Sequence, residues 1–523
     1  MNRIWAFSSL GVTILIAGCL LVIPIHASKS SLVLRSSGRT AYYPHSYIIY
    51  TNGTNYYAEN STTGMVDFSN TNPATLLANV FGNLTNGGRV FIKAGTYILN
   101  TVISVNFGNI IIDGEGQSSI LQLASGRSAL PWCMVLRIAN CQNVTIQNIH
   151  VDGNFQNNNS TTKTQYGIAI ENCQHVKVKN CYVTNCRMFG IYVLSTTSTS
   201  NVYDVDIVGN HVINCLWNGI SFYSMVTGAE LHDCRVTNNY VEGSCDIALD
   251  TAAEAIATPS YGVQFINNTV NGYLAYPGYG SSGTPDADFG VRVESGVSHL
   301  VQGNIIYNVS NGIADGPGPC QSGNDTILNN KIWMNHTNGW AGIEAYANDN
   351  TIDGNTIYGG FAAWSNGIYV RGNSTIVKNN TIVNSGGVVN FLGICEAGDI
   401  NPYNTTIISN DVHLCTVGDR ILFASGKGQV VRGNIGYNPV GNIANPVSGS
   451  YLLDSGSGTI ANNTVYTCYQ SDKTIYISGG TVLQIQVNGQ TLFMATGVSV
   501  LVLSGDTFKI VWSSAPTVNV AGN

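Results

Sequence analysis

The stretch NHVINCLWNGISFYS, residues 210–224, carries both repeats that decide the fold. It opens on Asn210, which sits in an apolar-x-x-Asn-x-apolar setting. It ends on Gly219-Ile220-Ser221-Phe222, where apolar and variable residues alternate. The asparagine setting recurs at Asn148, Asn239, Asn268, Asn304, Asn330, Asn355, Asn380, Asn410, Asn434 and Asn463. The steps run from 24 residues (Asn410 to Asn434) to 36 (Asn268 to Asn304), and Cys181 fills the one slot skipped between Asn148 and Asn210. A repeat of this length marks a solenoid.

The second motif returns downstream of the asparagines: Gly167-Ile168-Ala169-Ile170, Gly190-Ile191-Tyr192-Val193, Gly290-Val291-Arg292-Val293, Gly342-Ile343-Glu344-Ala345 and Gly367-Ile368-Tyr369-Val370. Its period of two belongs to strands, so helix-pair and leucine-rich repeats fit poorly. The chain is therefore all-β, a parallel β-helix whose coils stack ~4.8 Å apart. Roughly twelve coils fit between residues 86 and 470. The asparagines are expected to form an internal ladder, each amide bonding to the coils on either side.

The flanks are different. Residues 28 to about 72 look irregular apart from a strand at Tyr47-Ile48-Ile49-Tyr50, and Pro73 to Phe81 looks like a short amphipathic helix with Leu76, Leu77 and Val80 on one face. Such a helix is suited to cover the open apolar end of a solenoid. Then GGRVFIKAGTYIL (87–99) and NIIIDGEGQSSIL (109–121) resemble the first coils of the pectate-lyase-like superfamily of right-handed parallel β-helices. That resemblance extends over residues ~87 to 470 and implies the fold; the superfamily includes lyases, hydrolases, epimerases, phage tailspikes and non-catalytic proteins, so it does not choose an activity. Residues 471–523 alternate as strands joined by Gly-Gly, Asn-Gly and Gly-Asp turns, a small antiparallel β unit. The expected division is 1–27 signal peptide or membrane anchor, 28–86 N-terminal segment and cap, 87–470 parallel β-helix, and 471–523 C-terminal β cap.

Charged residues make up only 10% of the 523, with 58 glycines and a net charge of −7. Nothing basic enough to hold phosphates occurs, so nucleic acid is not a partner. Arg3 precedes an apolar run from Ile4 to Ile25 with a cleavage site after Ala27, a pattern of export or of membrane anchoring if uncleaved. The expected location is extracellular or at the cell surface, and Asn-x-Ser/Thr sites such as Asn143, Asn308 and Asn373 fit a glycoprotein. Twelve cysteines follow Cys19 without metal spacing. Cys186 and Cys215 share a slot in adjacent coils, there either to bridge or to fill space as small buried residues.

In Gly-Ile-x-apolar, the x residue and the residue after the motif point outward and form columns. The expected first column is Ala169, Tyr192, Ser221, Ala248, Arg292, Ala314, Glu344, Tyr369; the second is Glu171, Leu194, Tyr223, Asp250, Glu294, Tyr346, Arg371. In a chain this poor in charge, the cluster stands out. Carboxylates with aromatic rings suit an elongated sugar chain, since rings stack on pyranose faces and Arg or carboxylate groups hold hydroxyls and uronates. Asp250, Glu294 and Glu344 are the candidates for general acid/base work, and Arg292, Arg371, Tyr223, Tyr346 and Tyr369 for positioning the sugar. The long insert 271–289, with Asp286 and Asp288, is placed to wall the groove, and Trp340 lies just before Glu344. The polygalacturonase patterns (Asn-Thr-Asp, Asp-Asp, Gly-His-Gly, Arg-Ile-Lys) and the epimerase pattern Asp-Pro-His-Glu do not occur. No cofactor is called for, and calcium is the one ion left open, because pectate lyases pair an arginine base with calcium on acidic residues. The expected function is an exported protein that binds, and in its stronger form cleaves, polysaccharide or cell-surface glycan as a lyase or glycoside hydrolase; the rival is a non-catalytic structural or adhesion protein.

Overall fold

In the computed structural model, the described residues are 45–127, 133–158, 165–244, 246–253, 260–272, 289–316, 322–335, 339–362, 364–388, 390–398, 402–415, 421–422, 430–432, 434–435, 455–457, 462–463, 465–468, 473–493, 497–503 and 506–522. The expected signal or anchor segment 1–27 lies outside them. No helix among the described residues is long and apolar enough to cross a membrane.

The chain winds as a right-handed parallel β-helix. Each coil contributes one strand to each of three sheets. One coil shows the pattern: Tyr182–Thr184 in sheet B, Phe189–Ser195 in sheet C, Asn201–Val208 in sheet A. Sheets B and C each hold twelve parallel strands among the described residues. Sheet A runs parallel through the coils and also takes in three N-terminal strands. These are Tyr47–Thr51, Tyr56–Asn60 and Met65–Asn70, an antiparallel meander joined to the first coil where Tyr47–Thr51 runs parallel to Gly88–Ile92. The sequence suggested a single strand here; the other two were hidden because their outward residues are mostly polar and only Ala58 is buried.

The helix spans Pro73–Asn83, with Asn72 capping it by accepting from the Ala74 amide and with Leu76, Leu77 and Val80 fully buried. These residues share one core with Tyr97, Leu99 and Ile103 of the first coil, so the helix packs on the exposed end of the solenoid.

Two asparagine columns, one residue apart, run along the corner entering sheet B. In the outer one the backbone is left-handed: Asn148, Asn180, Asn238, Asn267, Asn329 and Asn379 have φ between 53° and 57°, with glycine at 209, 303 and 354. Asparagine and glycine tolerate that conformation where other residues do not. The inner column is the ladder. Asn268 shows its chemistry: Oδ1 accepts from both the amide and Nδ2 of Asn239 (3.0 Å each), while Nδ2 donates to Val236 O (2.8 Å) and Asn304 Oδ1 (3.0 Å). Every polar atom of the buried amide is satisfied, as burial requires. The ladder runs from Asn210, which receives the Cys181 amide, to Asn434.

Two expected members are not in it. Because His150 pairs with Tyr182, and Tyr182 in turn with His211, the ladder slot of that coil is Ile149; Asn148 is a left-handed corner residue that donates to Asp113. Asn463 lies in the C-terminal unit, where its amide donates to Ile510 O. That unit is two four-stranded antiparallel sheets around Ile475, Ile477, Ile485, Val500, Val502, Phe508 and Ile510. It begins earlier than expected, since Ser455–Ser457 and Val465–Thr467 already pair antiparallel with Thr517–Gly522 and Thr507–Ser514.

The recurrent glycine of the sheet C motif has a steric cause. A Cβ on Gly190 would sit 2.5 Å from Val212 Cγ1 and 2.7 Å from Gly219 O. The sulfurs of Cys186 and Cys215 press on the same slots of neighbouring coils, and both cysteines are buried thiols rather than a bridge.

A second, shorter polar column enters sheet A. His299 Nδ1 accepts from the Val263 amide (3.2 Å), Asp325 Oδ1 from the His299 amide (2.6 Å), and Asn350 Oδ1 from the Asp325 amide (3.0 Å). Asn350 Nδ2 donates to Asp315, which points inward from sheet C. Burial, then the Asp315 carboxylate, pushes Asp325 up to about 9, and burial pushes Asp315 up to about 6. Burial lowers His299 to about 4, leaving it neutral.

Two outcomes follow. Asn268→Ala strands the Asn239 amide and Nδ2 without their acceptor, and is expected to destabilise the solenoid by ~2–4 kcal/mol in denaturant unfolding; a change under ~0.5 kcal/mol would mean the ladder does not bind the coils together. For Asp325, the folded group holds its proton more tightly than the unfolded one. Its contribution to stability is therefore full in acid and is lost as pH rises from the ordinary carboxylate range through about 9. Asp325→Asn, which restores the amide used elsewhere in these columns, is expected to flatten that decline in the unfolding midpoint, and parallel curves for the two proteins would contradict the assignment.

Candidate functional site

The outer face of sheet C carries the site. Register between its strands fixes the columns. Ser221 pairs with Asp250, Asp250 with Arg292, Arg292 with Ala314, Ala314 with Glu344, and Glu344 with Tyr369. Asp250 thus belongs to the first column, not to the second beside Glu294 as expected. The cause is the coil Ile247–Ala253, where Ala248 takes the place held by glycine in its neighbours and faces Gly219. Counting from a glycine motif therefore slips by two residues. Ala252, not Asp250, stands next to Tyr223. Glu294 follows in that second column, its amide donating to Thr251 O.

The corrected frame changes the distances. Asp250 and Glu294 lie on adjacent coils and two residues apart along the strand, so their stems are about 8 Å apart. Glu294 and Glu344 are two coils and one column apart, roughly 12 Å, instead of the 9.6 Å that stacking alone gives. Asp250 and Glu344 are three coils apart, about 14 Å.

Each charged group has a distinct setting. Asp250 is buried; its Oδ2 accepts from Asn218 Nδ2 (3.0 Å) and Ser221 Oγ (2.9 Å), and its Oδ1 has no hydrogen-bond partner among the described residues. Burial, then the Glu294 charge, holds the Asp250 carboxyl well above the usual range, against the opposing pull of Ser221 and Arg292. The setting favours its protonated form over the carboxylate. Glu294 is paired with Arg292, Nη1 to Oε1 at 2.6 Å, with both side chains about one-fifth exposed. Arg292 also lies over the Phe289 ring, 5.0 Å from its centre. Glu344 is buried, and burial pushes it up to about 7 although Tyr346, Arg292 and Arg371 all favour its charged form. Arg371 stacks on Tyr346 at 4.8 Å. Trp340, half exposed, meets Tyr369 edge-on at 5.7 Å.

Asp250, Arg292, Glu294, Glu344, Arg371, Tyr346 and Tyr369 therefore form one connected patch, with Ala314 leaving a gap in the column between Arg292 and Glu344. The Tyr223 ring lies 6.2 Å from Tyr192, packed against an apolar cluster with Met134, Tyr166, Phe189 and Leu194. The insert positions Asp286 and Asp288 lie outside the described residues. Among those residues, no group of three or more His, Cys, Asp or Glu is placed to hold a metal.

Two features escaped the sequence reading. Ser221 was placed in the column, yet its hold on Asp250 became visible only with the corrected register, and Asn218 carried no signal at all. Nearer the N-terminus, the same face opens into a cavity of about 610 Å³ lined by Val102, Met134, Arg137, Glu171, Leu194 and Met225. Its polar side is an ion pair, Arg137 Nη2 to Glu171 Oε2 at 2.5 Å. Arg137 went unnoticed because its strand, Cys133–Ala139, lacks the glycine motif.

Among solved structures, the chain is similar to the N-terminal fragment of bacteriophage Phi29 gene product 12 (14% identity, 69% of this chain and 68% of that one, TM-score 0.46). It is also similar to DFA-IIIase from Arthrobacter chlorophenolicus A6 without its lid (13%, 64% and 90%, TM-score 0.42) and to the A-module of the mannuronan C-5 epimerase AlgE6 from Azotobacter vinelandii (14%, 70% and 96%, TM-score 0.39). None of these likenesses bears on what this chain binds. No curated protein matches it. The family described as right handed beta helix region matches residues 135–270 and 341–514, more than half of the chain, and the protein belongs to that family.

Proposed function

We propose that the outer face of sheet C binds a polysaccharide chain and cleaves it with Asp250 and Glu294. One observation carries this reading: two carboxyl groups on adjacent coils in unlike settings, Asp250 buried where its protonated form is favoured, Glu294 ion-paired to Arg292. Neighbouring carboxyls in unlike settings are what an acid and a base require. In this assignment Asp250 is the acid that protonates the leaving oxygen, while Glu294 activates a water from the other side. A stem spacing of about 8 Å leaves room for that water, as inversion needs. Asn218 and Ser221 hold the far oxygen and fix the direction of the proton.

Glu344, Arg371, Tyr346, Tyr369 and Trp340 then form the binding side, two or more coils further on. The two rings and the indole offer apolar edges to sugar, and Arg371 offers a fork to hydroxyl or uronate oxygens. The apolar run Ile4–Ile25 supports display outside the cell. A non-catalytic adhesion role is the second reading, favoured by one fact: Glu294 is already paired with Arg292, as carboxylates of ordinary surface pairs are.

The deciding experiment is a screen of acidic and neutral polysaccharides, with products followed by reducing ends and by ultraviolet absorbance of unsaturated sugars. New reducing ends without that absorbance indicate hydrolysis; absorbance indicates a lyase. Asp250→Asn and Glu294→Gln are each expected to lower kcat by about 10²–10⁴-fold with little change in KM. No product from the unaltered protein leaves the adhesion reading, and full activity in both variants would remove Asp250 and Glu294 from the chemistry. Glu344 gives a separate check. Its charge grows as pH passes about 7, so binding of a uronate chain is expected to weaken across that range, and Glu344→Gln is expected to abolish the pH dependence. An unchanged profile in Glu344→Gln would remove Glu344 from the binding surface.

A further inference from the structure

We infer that Cys141 and Cys173 form a disulfide between adjacent coils once the chain meets an oxidant. The two occupy the same place in successive coils, at the corner where sheet C gives way to sheet A. Gln142 pairs with Gln174 in register, and the Gln174 amide donates to Cys141 O at 3.3 Å. Register sets their Cα atoms about 4.8 Å apart, within the roughly 4.4–6.8 Å that a disulfide spans. Their sulfurs are already 3.9 Å apart. Rotation about each Cα–Cβ bond closes the rest without moving the backbone.

Access separates this pair from the other candidate. Cys141 is part-exposed and lines an open polar hollow of about 390 Å³ shared with Asn140, Asn172 and Gln174. A small disulfide reaches its sulfur from there, while Cys173 waits buried behind it. Cys186 and Cys215 also neighbour each other across coils, but both are fully enclosed in the core. No reagent reaches them without opening the solenoid.

The chemistry balances as two exchanges. The Cys141 thiolate attacks one sulfur of a small-molecule disulfide, forms a mixed disulfide and releases one thiolate. The Cys173 thiolate then attacks the Cys141 sulfur, closes the cross-coil bond and releases the second thiolate. The protein loses two thiol protons and two electrons, and the small disulfide is reduced to two thiols. The closed bond locks the loop from 141 to 173, which includes Glu171 of the Arg137–Glu171 pair. It therefore fastens two coils beside the cavity on sheet C.

The test uses the full chain incubated with oxidised glutathione, then denatured, treated with iodoacetamide and digested. The expected result is a peptide pair joined through Cys141 and Cys173, with Cys186 and Cys215 alkylated, and a higher thermal midpoint that returns to the starting value on reduction. Cys141→Ser is expected to block the link and the stabilisation, and to leave Cys173 alkylated. Cys173→Ser, the second variant in case the first folds poorly, is expected to stop at glutathione carried on Cys141. Overturning results are an alkylated Cys141–Cys173 pair after oxidation, a mixed disulfide on Cys141 that Cys173 never resolves, or a link joining Cys186 to Cys215 instead.

Discussion

Everything in this molecule depends on coil-to-coil register, and the buried asparagine ladder sets it. Apolar packing alone does not stop a coil sliding along its neighbour, because apolar residues of similar size pack almost as well one pair out of step. The ladder removes that freedom. Each amide from Asn210 to Asn410 bonds to carbonyl and amide groups of specific partners, and a slip would leave several buried polar atoms unbonded at once. The left-handed corner beside it, built from asparagine and glycine, fixes where each coil turns. Sheet C inherits its alignment from that corner, so the outward columns that gather charge are a consequence of polar bonding on a different wall of the solenoid.

The charged patch shows how weakly charged coils can gather titratable groups in unlike settings. The protonated form of Asp250 is favoured because it is buried next to another carboxylate, with two neutral donors on one oxygen and none on the other. Glu294, one coil on, keeps a guanidinium at 2.6 Å. Small residues do part of the work. Ala252 and Ala314 leave room in the two columns, so the long side chains of Glu294, Arg292 and Glu344 spread over the face without crowding. The same economy appears inside, where Asp315 and Asp325 share a buried corner directly behind the strand between Arg292 and Glu344.

The fold was legible because its signals are periodic. Gly-Ile-x-apolar repeats for a steric reason at Gly190 and its equivalents, and the helix announced itself through Pro73 and the Leu76, Leu77, Val80 face. The errors have equally local causes. Asn148 was counted with the ladder although it stands one residue earlier in its frame, between Ile146 and Ile149, since corner and ladder demand the same residue type. Asn463 satisfies the apolar-x-x-Asn-x-apolar pattern in an antiparallel strand pair. Asp250 was displaced by two because Ala248 replaces the glycine that anchors the count. The contact from Asn218 to Asp250 crosses 32 residues and leaves no local mark in the sequence. Composition identified which residues could act, and only three-dimensional register determined which of them meet.

The most direct measurement of the central claim is the infrared carboxyl spectrum of the full chain at neutral pH, with aspartate isotopically labelled, compared with that of Asp250→Asn. The account predicts a protonated-carboxyl band that Asp250→Asn removes, and that shifts when Ser221→Ala takes away one of its two donors. A spectrum in which Asp250→Asn removes only ionised carboxylate signal would show Asp250 charged and exposed, and the coil register that places it in the Ser221–Arg292 column beside Glu294 would be wrong.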